Sequence, residues 1–128
     1  MFTGLVPPSH IPRYVAQMDV LAHLSLREGL PRTVVQALAG GVPAVAFPLD
    51  GTPEVVLDGE TGLLCPAKDA AAVEAALLRL LRSPQDARRM GARGRELVRE
   101  RFDWRQMVSA LELEYRRCLQ ERQKAVSL

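Results

Sequence analysis

Apolar residues fall into two regimes along this chain. Over the first half they form short compact runs punctuated by Gly and Pro. Over the second half they recur every three or four residues. The runs Val20–Leu24 and Val42–Phe47 have the composition of strands buried in a parallel sheet. Gly62–Cys65 reads as a shorter strand, and Met1-Phe2-Thr3 as an apolar strand stub that stops at Gly4. Helices are predicted between the runs. Ser9 is placed to cap a short one whose apolar side is Ile11, Tyr14, Val15 and Met18. Pro31 stands at a first helical position, Thr33 to Ala39 continue that helix, and Gly40-Gly41 end it. Asp50-Gly51-Thr52-Pro53 reads as a turn opening a short helix through Leu57, and Asp58-Gly59 as a second turn.

The second half is predicted helical. Asp69 is a helix N-cap, and Val73, Ala76, Leu77, Leu80 and Leu81 share one face behind it. Ser83-Pro84 breaks that helix and starts another, Gln85 to Arg101, with Met90, Leu97 and Val98 on its apolar side and Gly94 allowing close packing. Asp103 caps a last helix, where Trp104, Val108, Leu111, Tyr115 and Cys118 recur at spacings of four and three. This stripe reads first as packing against its own domain. The sharper reading is a strap, residues 104–123, that docks on something else and, left uncovered, drives self-association. Strands alternating with helices give an α/β class: a short parallel sheet flanked by helices, a partial Rossmann-like domain with a helical C-terminal half. We expect one domain over 1–128, α/β in 1–66 and helical in 67–128. With a strand candidate at the first residue, the sheet is expected to belong to a larger one.

The 128 residues suffice for one ordinary domain, and 48% hydrophobic with 25% charged residues excludes disorder and coiled coil as the dominant state. A net charge of +2 excludes a strongly basic nucleic-acid binder. The charge is unevenly spread: residues 1–64 carry 3 Lys and Arg against 6 Asp and Glu, residues 65–128 carry 14 against 9. The Arg excess reads as solvated helix faces, although such a surface can also meet phosphate or an inner membrane surface. Cys65 and Cys118 are the only cysteines, without CxxC spacing, which disfavours a structural zinc site or disulfide framework and fits a reducing, cytoplasmic compartment. Residues 1–14 lack the pattern of a secretory signal, and no apolar stretch approaches the roughly 20 residues of a membrane helix.

In an open parallel sheet, ligands sit beyond the carboxyl ends of the strands, and two loops qualify. The first reads Ser25-Leu26-Arg27-Glu28-Gly29-Leu30-Pro31 and runs straight into a helix. Amides at that start can bind phosphate; since Pro31 has no N–H, the donors are Gly29, Leu30, Arg32 and Thr33. Glu28 can accept hydrogen bonds from hydroxyl groups, as on a sugar, and on spacing alone is equally a loop carboxylate. The second reads Pro48-Leu49-Asp50-Gly51-Thr52-Pro53-Glu54; there Thr52 or Asp50 can simply cap a helix whose dipole Glu54 favours. The dinucleotide fingerprint, the P-loop and the nucleophile elbow are missing. His10 and His23 lack metal-ligand spacing, and His23 reads as a satisfied core or rim histidine.

The run Ser25-Leu26-Arg27-Glu28-Gly29-Leu30-Pro31, followed by Gln36 through Val45, resembles the donor-binding segment of GT-B glycosyltransferases, most closely the retaining family 4 or group 1. Gly51-Thr52-Pro53-Glu54-Val55-Val56 and Asp58 through Leu64 continue the pattern in order. Arg101-Phe102-Asp103-Trp104 matches the family's lead-in to its last helix, and Phe2-Thr3-Gly4 and Ile11 through Tyr14 fit the preceding strand and helix.

The resemblance implies two Rossmann-like domains around a cleft, of which this chain matches the later part of the C-terminal, donor-binding one. The donor is a nucleotide-diphosphate sugar. Glu28 would contact sugar hydroxyls, the amides around Gly29 and Leu30 would face the diphosphate or sugar, and position 36 would bond the ribose. No metal or other cofactor is implied, since protein cations and a helix dipole neutralise the diphosphate. The acceptor would bind a missing N-terminal domain or a partner chain, onto which the last helix crosses. The sequence departs from the pattern at Gln36, where the family has a second Glu, and at Leu24, where a Pro is common. The reading is the donor-binding portion of a retaining glycosyltransferase, inactive when isolated. The alternatives are a catalytically silent nucleotide-sugar-binding or interaction module, or a nucleotide-sugar epimerase of the same fold.

Overall fold

Three short strands, β1 (Leu21–His23), β2 (Ala44–Ala46) and β3 (Gly62–Leu64), run parallel in the order β1-β2-β3. Leu21 pairs with Ala44 and Ala44 with Gly62, so the strands are in step and their exits line up at one end of the sheet. The helices are α1 (Ile11–Val15), α2 (Arg32–Ala39), α3 (Ala70–Arg82), α4 (Pro84–Arg101) and α5 (Trp104–Val126). Single 3-10 turns occupy Pro8–His10 and Thr52–Glu54. The computed structural model describes residues 3–126, so Met1 and Phe2 of the expected stub lie outside the described residues.

The central strand is buried throughout, and its side chains alternate between two cores as strand geometry dictates. Val45, with Phe47 beyond the strand, joins Leu63, Cys65, Val73, Ala76, Leu80 and Met90. Ala44 and Ala46 face Val34, Leu38, Val55 and Val56. α3 therefore covers one face and α2 the other, which is the expected α/β arrangement. No helix among the described residues is long and apolar enough to cross a membrane. Both cysteines are free. Cys65 is buried, and its thiol is pushed above the ordinary cysteine value by that burial first and by Asp58 and Asp69 second.

Several expectations need correction. The strand over Val20–Leu24 is not doubly buried: β1 is an edge strand with Ala22 exposed and only Leu21 and His23 half-buried. Pro31 is the N-cap of α2 rather than its first residue. Ser9 lies inside a 3-10 turn and caps nothing, and Tyr14, Met18 and Leu81 are exposed. The helix expected through Leu57 is a single 3-10 turn. The buried Thr61 ends it: its hydroxyl donates to the Val55 carbonyl at 2.9 Å and accepts from the Leu57 N–H at 2.9 Å. Those are two groups that a continuing helix would have used.

The last helix is also corrected. Asp103 caps α5, its Oδ1 accepting from the Arg105 N–H at 2.9 Å. The stripe, however, does not pack on its own domain. Trp104 is 61% exposed, Tyr115 67%, and Val108, Leu111 and Cys118 are exposed as well. Phe102, just before the helix, packs against the α2 core. Beyond it the helix is supported by its own i,i+4 pairs, Glu112–Arg116 at 2.7 Å and Arg117–Glu121 at 3.2 Å.

Helices α2 and α4 touch closely because glycines line α4. A Cβ on Gly94 would come within 2.6 Å of Leu38 Cδ2, and one on Gly91 would overlap the Gly41 carbonyl oxygen. The Leu38 side chain can yield; a backbone carbonyl cannot. Alanine favours a helix over glycine by about 0.5–1 kcal/mol, so a net loss in a variant reports the overlap. Gly91→Ala is expected to destabilise the domain by about 2 kcal/mol or more, measured by urea unfolding. An unchanged midpoint would show that α4 stands further from α2.

Candidate functional site

The site is built where β1 and β2 end. The chain leaves β1 through residues 24–31 and enters α2; it leaves β2 through residues 47–51 and enters the turn at Thr52. These two loops are fastened together. The Asp50 carboxylate accepts the Glu28 N–H at 2.8 Å, and the Gly51 N–H donates to the Gly29 carbonyl at 3.1 Å. The approach is backbone on backbone: a Cβ on Gly51 would stand 2.7 Å from the Gly29 oxygen. Asp50 itself sits at φ 49, in the left-handed region. Aspartate tolerates that region better than most side chains because its short polar group can bond locally.

Helix α2 begins at this junction. The N–H groups of Val34 and Val35 both reach the Pro31 carbonyl, at 3.0 and 3.2 Å, and the N-cap, Pro31, makes no side-chain capping bond among the described residues. The N–H groups of Arg32 and Thr33 precede the first intrahelical bond, at the positive end of the dipole. At the other end Arg95 Nη2 donates to the Gly40 carbonyl at 2.8 Å. A cation thus offsets the negative pole and leaves the positive pole available.

Of the sequence-predicted residues, Glu28, Gly29, Leu30, Arg32 and Thr33 meet at this mouth, with Glu28 half-buried and the others exposed. Ser25 is half-buried in the same loop, and Pro31 is buried beneath it. Gly51 is there through its backbone. Thr52 is only 2% exposed, and its carbonyl serves the turn by accepting from the Val55 and Val56 N–H groups. Glu54 is exposed in the same turn. Gln36 lies one turn along α2, exposed, on the wall of a cleft of about 390 Å³. Ile11, Pro12 and Val15 of α1 supply the opposite, apolar wall.

Two participants were missed. Asp50 read as a helix cap; it is instead the partner of Glu28, 22 residues away. The clue was an Asp-Gly pair at a strand exit, where an unusual backbone is wanted. His23 read as a satisfied histidine. Its Nε2 is buried without a hydrogen bond among the described residues and stands 3.6 Å from Glu28 Oε1.

Comparison with known proteins follows the same residues. A family model described as glycosyl transferases group 1 matches residues 1–97. The chain is 34% identical over 106 residues to N-acetyl-alpha-D-glucosaminyl L-malate synthase of Bacillus anthracis, covering 83% of this chain and 28% of that protein. It is 36% identical to a GDP-mannose-dependent phosphatidylinositol monomannoside mannosyltransferase of Mycolicibacterium smegmatis, covering 82% and 29%. Among solved structures, sucrose-phosphate synthase from Thermosynechococcus elongatus superposes with a TM-score of 0.90 at 30% identity, over 94% of this chain and 30% of that one. Anabaena HepE in complex with UDP and glucose superposes with a TM-score of 0.80 at 25% identity, over 88% and 31%. The chain spans less than a third of the length of each.

The loop fastening is open to test. Asp50→Ala removes the acceptor of the Glu28 N–H and puts alanine in a left-handed conformation, an expected cost of about 1–3 kcal/mol. Asp50→Asn keeps an acceptor oxygen and tolerates the backbone, so it is expected to stay near wild type. Hydrogen exchange at the Glu28 amide should accelerate in the first variant and not in the second. Equal protection in both would show that the amide has another partner.

Proposed function

The chain belongs to the group 1 glycosyl transferases, and from that premise we propose that it is the donor-binding portion of a retaining, family 4 transferase. In this reading the donor is a nucleotide-diphosphate sugar. The diphosphate sits at the α2 N-terminus against the Arg32 and Thr33 amides, the sugar hydroxyls donate to Glu28, and Gln36 bonds the ribose. The base lies in the apolar cleft beside Gln36. No metal is invoked, because the helix dipole and Arg32 face the diphosphate. The single observation that carries this is that the loop bearing Glu28, fastened through its backbone to Asp50, runs from the exit of β1 straight into the uncapped start of α2. The HepE structures, with UDP or UDP-glucose bound, support a nucleotide sugar as the partner.

Chemistry follows from charge. As the bond between the anomeric carbon and the diphosphate breaks, negative charge grows on the leaving oxygen. Fixed amides at a helix start stabilise that charge without reorganising. The acceptor hydroxyl attacks from the face the diphosphate leaves and passes its proton to the departing phosphate oxygen, so configuration is retained. Acceptor binding belongs to a second domain or a partner chain, and the isolated chain binds donor without turning it over. Gln36 favours a second reading, a silent binding module, since an amide oxygen accepts from ribose without the added strength of a carboxylate.

Calorimetric titration of the chain with UDP, GDP, ADP and their sugars tests this reading. Saturable binding to one series is expected, lost in Glu28→Ala for the sugar nucleotide and tightened about five-fold in Gln36→Glu. No binding at millimolar ligand by the folded chain would remove donor binding from this portion.

The exposed face of α5 is proposed as the surface that meets the acceptor-binding part. In the isolated chain it associates with a second copy. Sedimentation should show a mass that rises with concentration, and Leu111→Glu should restore a monomer. A wild-type monomer at all concentrations would sink self-association.

A further inference from the structure

We propose that His23 is a positioning residue for the donor site: its Nε2–H holds the Glu28 carboxylate in the orientation that meets the sugar. The proposal rests on the reading of Glu28 as the donor-sugar contact and adds a residue to it.

The observations concern a mismatch. His23 is the last residue of β1, at the sheet end where ligands bind, and its backbone is fixed in register opposite Ala46. Its side chain is 13% exposed, and Nε2 is fully buried with no hydrogen-bond partner among the described residues. A buried ring nitrogen without a partner is costly, and native proteins rarely leave one so. Glu28 Oε1 stands 3.6 Å away, just beyond hydrogen-bond length. Of the two groups, only the carboxylate can readily move. Its side chain is 35% exposed and lies in a loop, while its backbone N–H is pinned by Asp50. A small rotation of the carboxylate therefore closes the bond and satisfies Nε2. That bond fixes the tautomer with the proton on Nε2. It also leaves the second carboxylate oxygen of Glu28 for the ligand. Glu28 is then held at both ends, by Asp50 through its backbone and by His23 through its side chain.

Two measurements on the 128-residue chain decide this. In nitrogen-15 spectra of labelled histidine, at a pH where the ring is neutral, wild type is expected to show the Nε2–H tautomer of His23. Glu28→Ala should show a mixture of tautomers. An identical tautomer balance in both overturns the proposal. Calorimetry then compares UDP with UDP-glucose, the probes bound in the HepE structures. His23→Leu should lose about ten-fold of UDP-glucose affinity and leave UDP unchanged. His23→Gln, which returns an N–H near the Nε2 position, should recover most of the loss. Equal weakening of UDP and UDP-glucose would mean a structural role and overturn the proposal. Failure of the wild-type chain to bind UDP and UDP-glucose moves the same comparison to the GDP or ADP series; failure with all three overturns the donor reading instead, and the tautomer result still decides whether His23 holds Glu28.

Discussion

Two strand exits are tied by one side chain-to-backbone and one backbone-to-backbone hydrogen bond, and the candidate site depends on that tie. Asp50 takes the Glu28 N–H, and Gly51 donates to the Gly29 carbonyl. Loops at the carboxyl end of a sheet carry binding groups, but they are mobile unless something fixes them. Here the fixing groups are mostly main chain. They constrain where the Glu28 backbone sits without using its carboxylate. The closeness explains two local choices. Only glycine fits at 51, where a Cβ would stand 2.7 Å from the Gly29 oxygen. Residue 50 must accept a positive φ and supply an acceptor at once, which aspartate does.

Behind the tie stands α2, and behind α2 stands α4. The useful end of α2 is its uncapped start, and the value of amides there lies in their being aimed before a ligand arrives. That aim is set from the far side. Gly91 and Gly94 let α4 lie against Gly41 and Leu38, and Arg95 reaches the Gly40 carbonyl. A helix held along its flank and at its C-terminus cannot tilt without breaking those contacts. The helical second half thus holds α2 in place from behind the mouth.

Much of this was legible in the sequence, and the remainder fails for identifiable reasons. The runs around Val45 and Leu63, the helix after Pro31 and the break at Ser83-Pro84 are local signals, and all appear in the fold. Glu28 stood out because a carboxylate just before a glycine at a helix start is a local pattern too. The partners of Glu28 are tertiary: neither periodicity nor turn chemistry could pair it with Asp50 or bring His23 to its side chain. Nor does composition distinguish an edge strand from a central one, so β1 read as buried. A stripe of spacing four and three looks the same facing a core or facing water, and only the exposure of Trp104 and Tyr115 separates the two.

In the proposed reading, charge orders the donor within the site. Residues 1–64 carry 3 basic side chains against 6 acidic ones, so the α/β half offers no general attraction for a diphosphate. Distant charges matter little in any case, since screening takes hold over about 8 Å at physiological salt. Short-range groups decide. Two like charges 4 Å apart at an effective dielectric of ~20 repel by about 4 kcal/mol, so a diphosphate placed against Glu28 would be driven off. In that reading the neutral sugar lies between them, its hydroxyls donating to the carboxylate while the phosphates turn to the Arg32 and Thr33 amides. The same logic gives Gln36 a compensating side. An amide there would bind ribose less strongly than a carboxylate, but it removes a negative charge one helical turn from where the diphosphate would rest. The proposed orientation of the donor, sugar toward β1 and base toward α1, follows from that ordering of charges rather than from shape.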